Sequence, residues 1–190
     1  MKGSDLRYRL RAATADVHAE LDAVSESAGF FDNRAAYAGY LVATLQARRS
    51  IELGLDACHV EQIFAMWPAR RIIAALAADI ADLGGPTAGP DAAALDYSPA
   101  AALGALYVLE GSALGARLLE RRAAALGMTP EFGGRHFAVQ TSRDGAWAAL
   151  LKVLEHAGLD ADGEDECTAS ALATFGRFSE AYRVIAHSRD

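Results

Sequence analysis

Two side chains near the amino end have the spacing of a ligand and its orienting partner. His18 and Asp22 are four residues apart, so on a helix the carboxylate can reach the imidazole ring. A carboxylate in this place fixes the tautomer and makes the other ring nitrogen a stronger metal ligand. Arg11, seven residues before His18, lies on nearly the same face and can meet an anionic group. A partly buried histidine paired with Asp22 only for stability is the alternative, and the pair alone does not exclude it.

A second signal is the run of glycines that follows Tyr107. Gly111, Ser112 and Gly115 fall within a segment that is otherwise apolar and helix-forming, and Gly104 lies seven residues before Gly111. Each glycine inside a helix costs about 0.5–1 kcal/mol relative to alanine, so the pattern needs a cause. Either the bare backbone approaches a flat ligand and the helix bends there, or a neighbouring helix packs closely against the small residues. The motif alone leaves both interpretations open.

Other kinds of chemistry lack their motifs. The remaining histidines show no HxxxH or HExxH spacing, so a zinc site is not expected. The sequence has no P-loop and no GxGxxG segment after a strand. Cys58 and Cys167 form no CxxC pair, which argues against a disulfide framework and fits a reducing compartment.

The elements that must position these residues are predicted to be helices. Alanine and leucine dominate the chain, a mixture that favours helix over strand. The first helix is capped by Ser4 or Asp5, carries apolar residues at three- and four-residue steps, and ends at Gly29. The second is capped by Asp32 and runs to about Leu53.

Similar signals divide the rest of the chain. We expect a short helical piece over 58–66 that stops before Pro68, a helix over 72–83, and a loop over 84–97. Ser98 and Pro99 form a strong helix start, and the helix that they open ends at Leu126. Irregular chain is predicted over 129–137, then a helix capped by Ser142 and ended by Gly158, and a last helix from near Asp162 or Asp165. The predicted fold is an all-α bundle.

Length, composition and charge limit the function further. The 190 residues suit one domain over 1–190, with 52% hydrophobic and 23% charged residues. The net charge of −7 argues against a nucleic-acid partner. No apolar leader and no uncharged stretch of about 20 residues is visible, so we expect neither a signal peptide nor a membrane span. A cytoplasmic protein is the simplest expectation.

Together the two segments resemble the heme oxygenases. The stretch Arg11-Ala-Ala-Thr-Ala-Asp-Val-His18-Ala-Glu-Leu21 is similar to that family's proximal helix. The stretch Leu106-Tyr-Val-Leu-Glu-Gly-Ser-Ala-Leu-Gly115 is similar to its distal helix, most of all in the bacterial branch that supplies biliverdin to bacteriophytochromes or releases iron from heme. The resemblance implies a helical fold with heme between the first helix and a kinked, glycine-bearing distal helix.

The resemblance also implies a role for each candidate residue. His18 would bind the heme iron as its metal ligand, and Asp22 would orient the imidazole. Gly111, Ser112 and Gly115 would form the distal catalytic wall, with Tyr107 also in contact with heme. Arg11 would meet one heme propionate, and Arg177 on the last helix would meet the other.

The implied reaction is the oxidative cleavage of heme to biliverdin, carbon monoxide and ferrous iron. Heme is then both cofactor and substrate, and the electrons come from an external ferredoxin or flavoprotein reductase. A bacteriophytochrome that receives biliverdin is a further implied partner. The sequence departs from the common pattern at Ser112, where many members carry a nearby aspartate, and at Gly115-Ala116, where many have paired glycines.

Three alternatives remain at this point. A heme-binding or heme-carrier protein of the same fold would keep His18 and the glycines without turnover, and Ser112 keeps this possibility open. A helical interaction module would use the small residues only for packing. A thiamin-degrading hydrolase on a related fold would need a nucleophilic cysteine in a polar site, and the surroundings of Cys58 and Cys167 are more typical of packing.

Overall fold

A computed structural model describes residues 5–86, 92–142 and 145–188. Over these ranges the chain forms helices joined by short loops, with isolated bridges of Thr129 to Phe132 and Gly133 and no strand. The helices are α1 (Asp5–Ser27), α2 (Arg34–Ala57), α3 (Trp67–Arg70), α4 (Ile73–Asp82), α5 (Pro99–Ala125), α6 (Arg135–Gln140), α7 (Ala146–Glu155) and α8 (Ala161–His187). A single 3₁₀ turn, Val60–Gln62, lies between α2 and α3. The all-α prediction is confirmed.

The start and end of α5 agree with the sequence signals. The Ser98 side chain accepts a hydrogen bond from the Ala101 N–H, 3.1 Å away, and Pro99 occupies the first helical position. Leu126 is the carboxyl cap, and Gly127 follows with φ +84°. This left-handed conformation is the one that glycine adopts at no steric cost.

Several other helix ends differ from prediction. The cap of α2 is Asn33 instead of Asp32, and the helix continues past Leu53 to Ala57. Pro68 lies in the first turn of α3 instead of after a helix. Helix α6 begins inside the segment that was expected to be irregular, and α8 begins earlier than expected, after an Asp160 cap.

Ser142 is a further correction, because it does not cap α7. The helix begins three residues later, at Ala146 after Gly145. The Ser142 hydroxyl donates to the Val139 carbonyl and accepts from the Arg70 guanidinium. A long-range partner has therefore taken the side chain away from the capping role. The candidate cap Ser4 and residues 87–91 of the predicted loop lie outside the described residues.

Helix α8 is the centre of the bundle, with α1, α2 and α5 packed against it. At the crossing of α5 and α8 the helices approach so closely that a Cβ on Gly104 would lie 2.0 Å from the Cys167 carbonyl oxygen. Gly104 is therefore a packing residue. Helix α7 packs against both α1 and α5.

A buried ion-pair network ties α4 to α6. The Asp79 carboxylate, which is wholly buried, accepts hydrogen bonds from the backbone N–H groups of Arg135 and His136 at 2.9 and 3.0 Å. It also lies 2.7 Å from His136 Nδ1. Burial lowers the pKa of His136, and Asp79 only partly offsets this effect. Burial acts to raise the pKa of Asp79, but the hydrogen bonds outweigh it and leave that pKa below its ordinary value.

By length and composition alone, α5 is apolar enough to cross a membrane. Half of its most apolar 18-residue window is buried inside the protein. Such burial is typical of a core helix, and α5 packs here against α8, α7, α6 and α2.

Candidate heme site

His18 lies on α1 with most of its side chain exposed. Nδ1 is 3.1 Å from Asp22 Oδ2, as the four-residue spacing predicts, and 60% of the imidazole side chain is accessible. One edge of the ring contacts Phe175 on α8, with 5.6 Å between ring centroids. Among the described residues none bonds Nε2, which is the nitrogen that a metal would use. The alternative of a buried structural histidine does not fit this exposure.

The Tyr107 side chain of α5 contacts α1 at a point one helical turn from His18. Burial raises the pKa of Tyr107, and a hydrogen bond with Thr14 and the nearby charges of Arg11 and Arg7 partly offset that rise. Thr14 is four residues before His18, and Gly111 is four residues after Tyr107. The imidazole and the first distal glycine are thus each one helical turn from this contact, measured along their own helix.

The distal glycines have open space where side chains would be. A Cβ on Gly115 would meet no atom within 4 Å, and one on Gly111 would only touch the Trp147 ring at 3.7 Å. The contrast with Gly104 divides the small-residue stripe in two. Protein packing explains Gly104, whereas no atom of the described chain explains the cost of Gly111 and Gly115 in a helix interior. A ligand that lies against this backbone would explain it.

Ser112 is exposed beside these glycines, and its hydroxyl proton already has an acceptor. The Oγ donates to the Leu109 carbonyl within the same helix at 2.7 Å. Its lone pairs remain able to accept a hydrogen bond from a water molecule. The side chain can therefore hold water as an acceptor and cannot donate to it while this bond lasts.

A buried ion pair anchors α5 immediately before Gly111. Arg70 Nε donates hydrogen bonds to both carboxylate oxygens of Glu110, at 3.1 and 3.0 Å. Glu110 is only 2% exposed. Arg70 also donates to the Val139 carbonyl at 2.7 Å. Sequence reasoning missed this pair. The available signal was Glu110 itself, the one charged residue between Pro99 and Ala116, because a carboxylate in an apolar helix normally has a buried partner.

Arg177 does not lie beside the other candidate site residues. It follows Phe175, the residue in contact with His18, by two positions, so the two side chains are separated by about 160° around α8. Its charge acts on Tyr97, in the chain before α5. The sequence offered only a loose positional argument for Arg177 as a propionate partner, and the structure gives that role no support.

Comparison with known proteins decides the family. Residues 4–183 match the family profile described as heme oxygenase. The heme oxygenase PigA of Pseudomonas aeruginosa is 31% identical over 175 residues, which cover 90% of this chain and 88% of PigA. This chain belongs to the heme oxygenase family. Its fold also matches the crystal structure of the NO- and CO-bound heme oxygenase from Neisseria meningitidis, with a TM-score of 0.85, 24% identity, and coverage of 96% of this chain and 92% of that one.

Family membership confirms the central predictions from the sequence. The protein is an all-α heme oxygenase, heme is its cofactor and substrate, and the activity is the oxidative degradation of heme. The carrier, interaction-module and hydrolase alternatives are not favoured. The candidate residues fit heme, since an exposed histidine with a free Nε2 and two uncovered glycines would suit an iron ligand and a flat wall.

Proposed function

We propose that this heme oxygenase binds heme between α1 and α5, with His18 as the iron ligand, and opens the porphyrin ring to biliverdin. The observation that carries the proposal is the open space at Gly111 and Gly115, on the helix that meets α1 at Tyr107. Bound heme supplies the iron that activates dioxygen and the carbon skeleton that is oxidised. The side chains described above would bind heme, orient it and exclude water.

On the proximal side the carboxylate of Asp22 would keep a proton on Nδ1 of His18. Nε2 is then the unprotonated nitrogen that donates its lone pair to iron. The edge contact with Phe175 would limit rotation of the ring. This arrangement presents the ligand nitrogen in one orientation before heme arrives.

On the distal side the backbone of Gly111 and Gly115 would set the height of the pocket. The Arg70–Glu110 pair would hold the start of this segment, and the Ser112 oxygen would accept a hydrogen bond from a water molecule in the pocket. Near the contact between the two helices, Tyr107 and Arg11 would meet an anionic edge of the ligand. Arg11 is the propionate partner that we retain, and we do not retain Arg177.

We also propose the cellular setting that the sequence suggested. The electron donor would be a ferredoxin or flavoprotein reductase, because the chain has no flavin or iron–sulfur motif of its own. A bacteriophytochrome would receive the product, and the compartment would be the cytoplasm. One contiguous hydrophobic core supports a single domain over 1–190.

A turnover assay tests the proposal. Purified protein is loaded with one equivalent of hemin and followed spectroscopically in air after ascorbate is added. We expect the Soret band to decline while a red-absorbing bilin band grows. A sharp, stoichiometric Soret band that persists under reduction would contradict turnover and restore the carrier interpretation.

A further inference from the structure

Trp147, in the first turn of α7, contacts two of the α5 residues assigned to the heme site. Its ring lies 5.6 Å from the Tyr107 ring, centroid to centroid, with 49° between the two planes. The far edge of the same indole, atoms Cζ3 and Cη2, lies 3.7 and 3.8 Å from the point where a Cβ on Gly111 would be. Any group placed at that point, against the bare backbone of Gly111, would be in van der Waals contact with Trp147.

The helix that carries Trp147 closes one side of the cleft between α1 and α5. Helix α7 packs against both of these helices, and Tyr107 joins them through its hydrogen bond with Thr14. Leu150 and Leu154, on the following turns of α7, are 0% and 3% exposed, so the helix is fixed to the core. Trp147 itself is only half-buried. A ring on a fixed helix presents a rigid surface to a ligand.

A rigid contact at the edge of the cleft matters because the porphyrin core is nearly four-fold symmetric. An iron ligand at His18 and a flat wall at Gly111 and Gly115 would fix the iron and the tilt of the plane. Neither contact prevents the ring from turning about the axis through the iron. A quarter turn would place a different meso carbon beneath the glycines, so the in-plane orientation has to be set by contacts at the porphyrin edge.

We propose that Trp147 determines which biliverdin isomer forms, because its indole edge limits in-plane rotation of the heme. The inference rests on the proposed function, in which Arg11 and Tyr107 meet the anionic edge of the ligand. Arg11 is exposed, and a long, exposed side chain can follow that edge through a range of angles. The ring of Trp147 blocks rotation towards α7. Attraction from Arg11 and this block together leave one orientation.

The first test determines the orientation of bound heme without turnover. Wild-type protein and Trp147→Ala are loaded with a symmetrical hemin whose vinyl groups are replaced by methyl groups, so that turning the ring over makes no difference. Proton NMR of the ferric cyanide complexes then reports each in-plane orientation as its own set of heme methyl signals. We expect one dominant set for the wild type and at least two for Trp147→Ala, with the preference for the main orientation reduced by up to about tenfold. Trp147→Phe keeps an aromatic ring at this position and should restore most of the preference.

Leu154→Ala is the matched control on the same helix. It removes a buried apolar side chain two turns after Trp147, so it loosens α7 without removing the indole edge. It should lower the midpoint of thermal unfolding and keep the single orientation. The same mixture of orientations in Leu154→Ala and Trp147→Ala would mean that the packing of α7 orients the heme, and it would overturn the proposal. Circular dichroism verifies folding, and Trp147→Leu, with the same expectation, replaces Trp147→Ala if that variant is unfolded.

The second test analyses the product. Each variant, loaded with hemin, is turned over with ascorbate in the presence of catalase, and the biliverdin isomers are separated by liquid chromatography. The wild type and Trp147→Phe should give mainly one isomer, and Trp147→Ala should give a mixture that follows its NMR populations. A single, wild-type set of signals and a single, wild-type isomer from Trp147→Ala would overturn the proposal. Failure of the wild type to form bilin would instead count against the proposed function, and the NMR populations would still decide the role of Trp147.

Discussion

At the scale of single residues, the orientation of the proposed iron ligand depends on one exposed carboxylate. Asp22 reaches Nδ1 of His18 within one helical turn, and no other described residue bonds the ring. Partners of this kind typically change metal affinity 10–100-fold when they are removed. Asp22→Asn should therefore weaken hemin binding by about tenfold or more, measured by Soret titration.

A control on the same helix makes the test specific. Asp16→Asn removes the same charge from another exposed position on α1 and should leave hemin affinity unchanged. An equal loss in both variants would mean that Asp22 acts only through the overall charge of the helix. Unchanged affinity in Asp22→Asn would remove Asp22 from the site.

At the scale of the element, Gly115 of α5 should show the signature of a residue kept for a ligand. Nothing in the described protein lies within 4 Å of an added Cβ, and alanine is the better helix former. Gly115→Ala should therefore raise the free energy of unfolding of the apoprotein by about 0.5–1 kcal/mol, measured in urea. The same change should slow heme turnover. A destabilised apoprotein would show that packing, not a ligand, requires this glycine.

Gly104 should behave in the opposite way. Its added Cβ would lie 2.0 Å from the Cys167 carbonyl oxygen and 3.0 Å from the Ala171 nitrogen, both backbone atoms of α8. The two helices must move apart to accept alanine, and overpacking of this kind costs about 1–3 kcal/mol. Chemical denaturation of Gly104→Ala should show that loss. Wild-type stability would mean that the crossing is looser than described.

The same helix shows what a sequence can predict. Ser98, Pro99 and Gly127 are local signals, and the ends of α5 follow them. The start of α7 was missed because Ser142 bonds Arg70, a residue far away in sequence. Propensity and capping rules describe only neighbours along the chain.

The same difference between local and long-range contacts applies to the candidate site. The His18–Asp22 pair is an i, i+4 contact and was predictable. The Arg70–Glu110 pair joins residues 40 positions apart, and no local rule finds it. The role of Arg177 rests on position along the chain alone, and a shift of two positions turns a helical residue to nearly the opposite face.

At the scale of the whole molecule, the Asp79–His136 pair should make the fold sensitive to acid. The pKa of His136 is lowered from 6.5 in the folded state. Below pH 6.5 the unfolded chain is therefore more fully protonated at this residue than the folded chain, which favours unfolding. The pKa of Asp79 is lowered from 3.8, so its contribution is lost as the pH falls below that value. Both effects have the same sign, and stability should fall from pH 6.5 downwards.

Urea unfolding across pH 4–8 measures this dependence. Between pH 6.5 and 4, His136 should contribute a slope of up to about 1.4 kcal/mol per pH unit. His136→Asn can still donate to Asp79 and cannot be protonated, so it should lower stability at every pH and flatten the slope in that window. A variant with the wild-type slope would assign the acid sensitivity to other groups.

The measurement that tests the central claim most directly is a hemin titration of the wild type and of His18→Ala, read by absorption spectroscopy with and without added imidazole. We predict a stoichiometric wild-type complex with a histidine-type Soret spectrum, a weak and altered complex for His18→Ala, and recovery of the wild-type spectrum when imidazole enters the vacated position. A His18→Ala spectrum identical to that of the wild type, with unchanged affinity, would contradict His18 as the iron ligand and the placement of heme between α1 and α5.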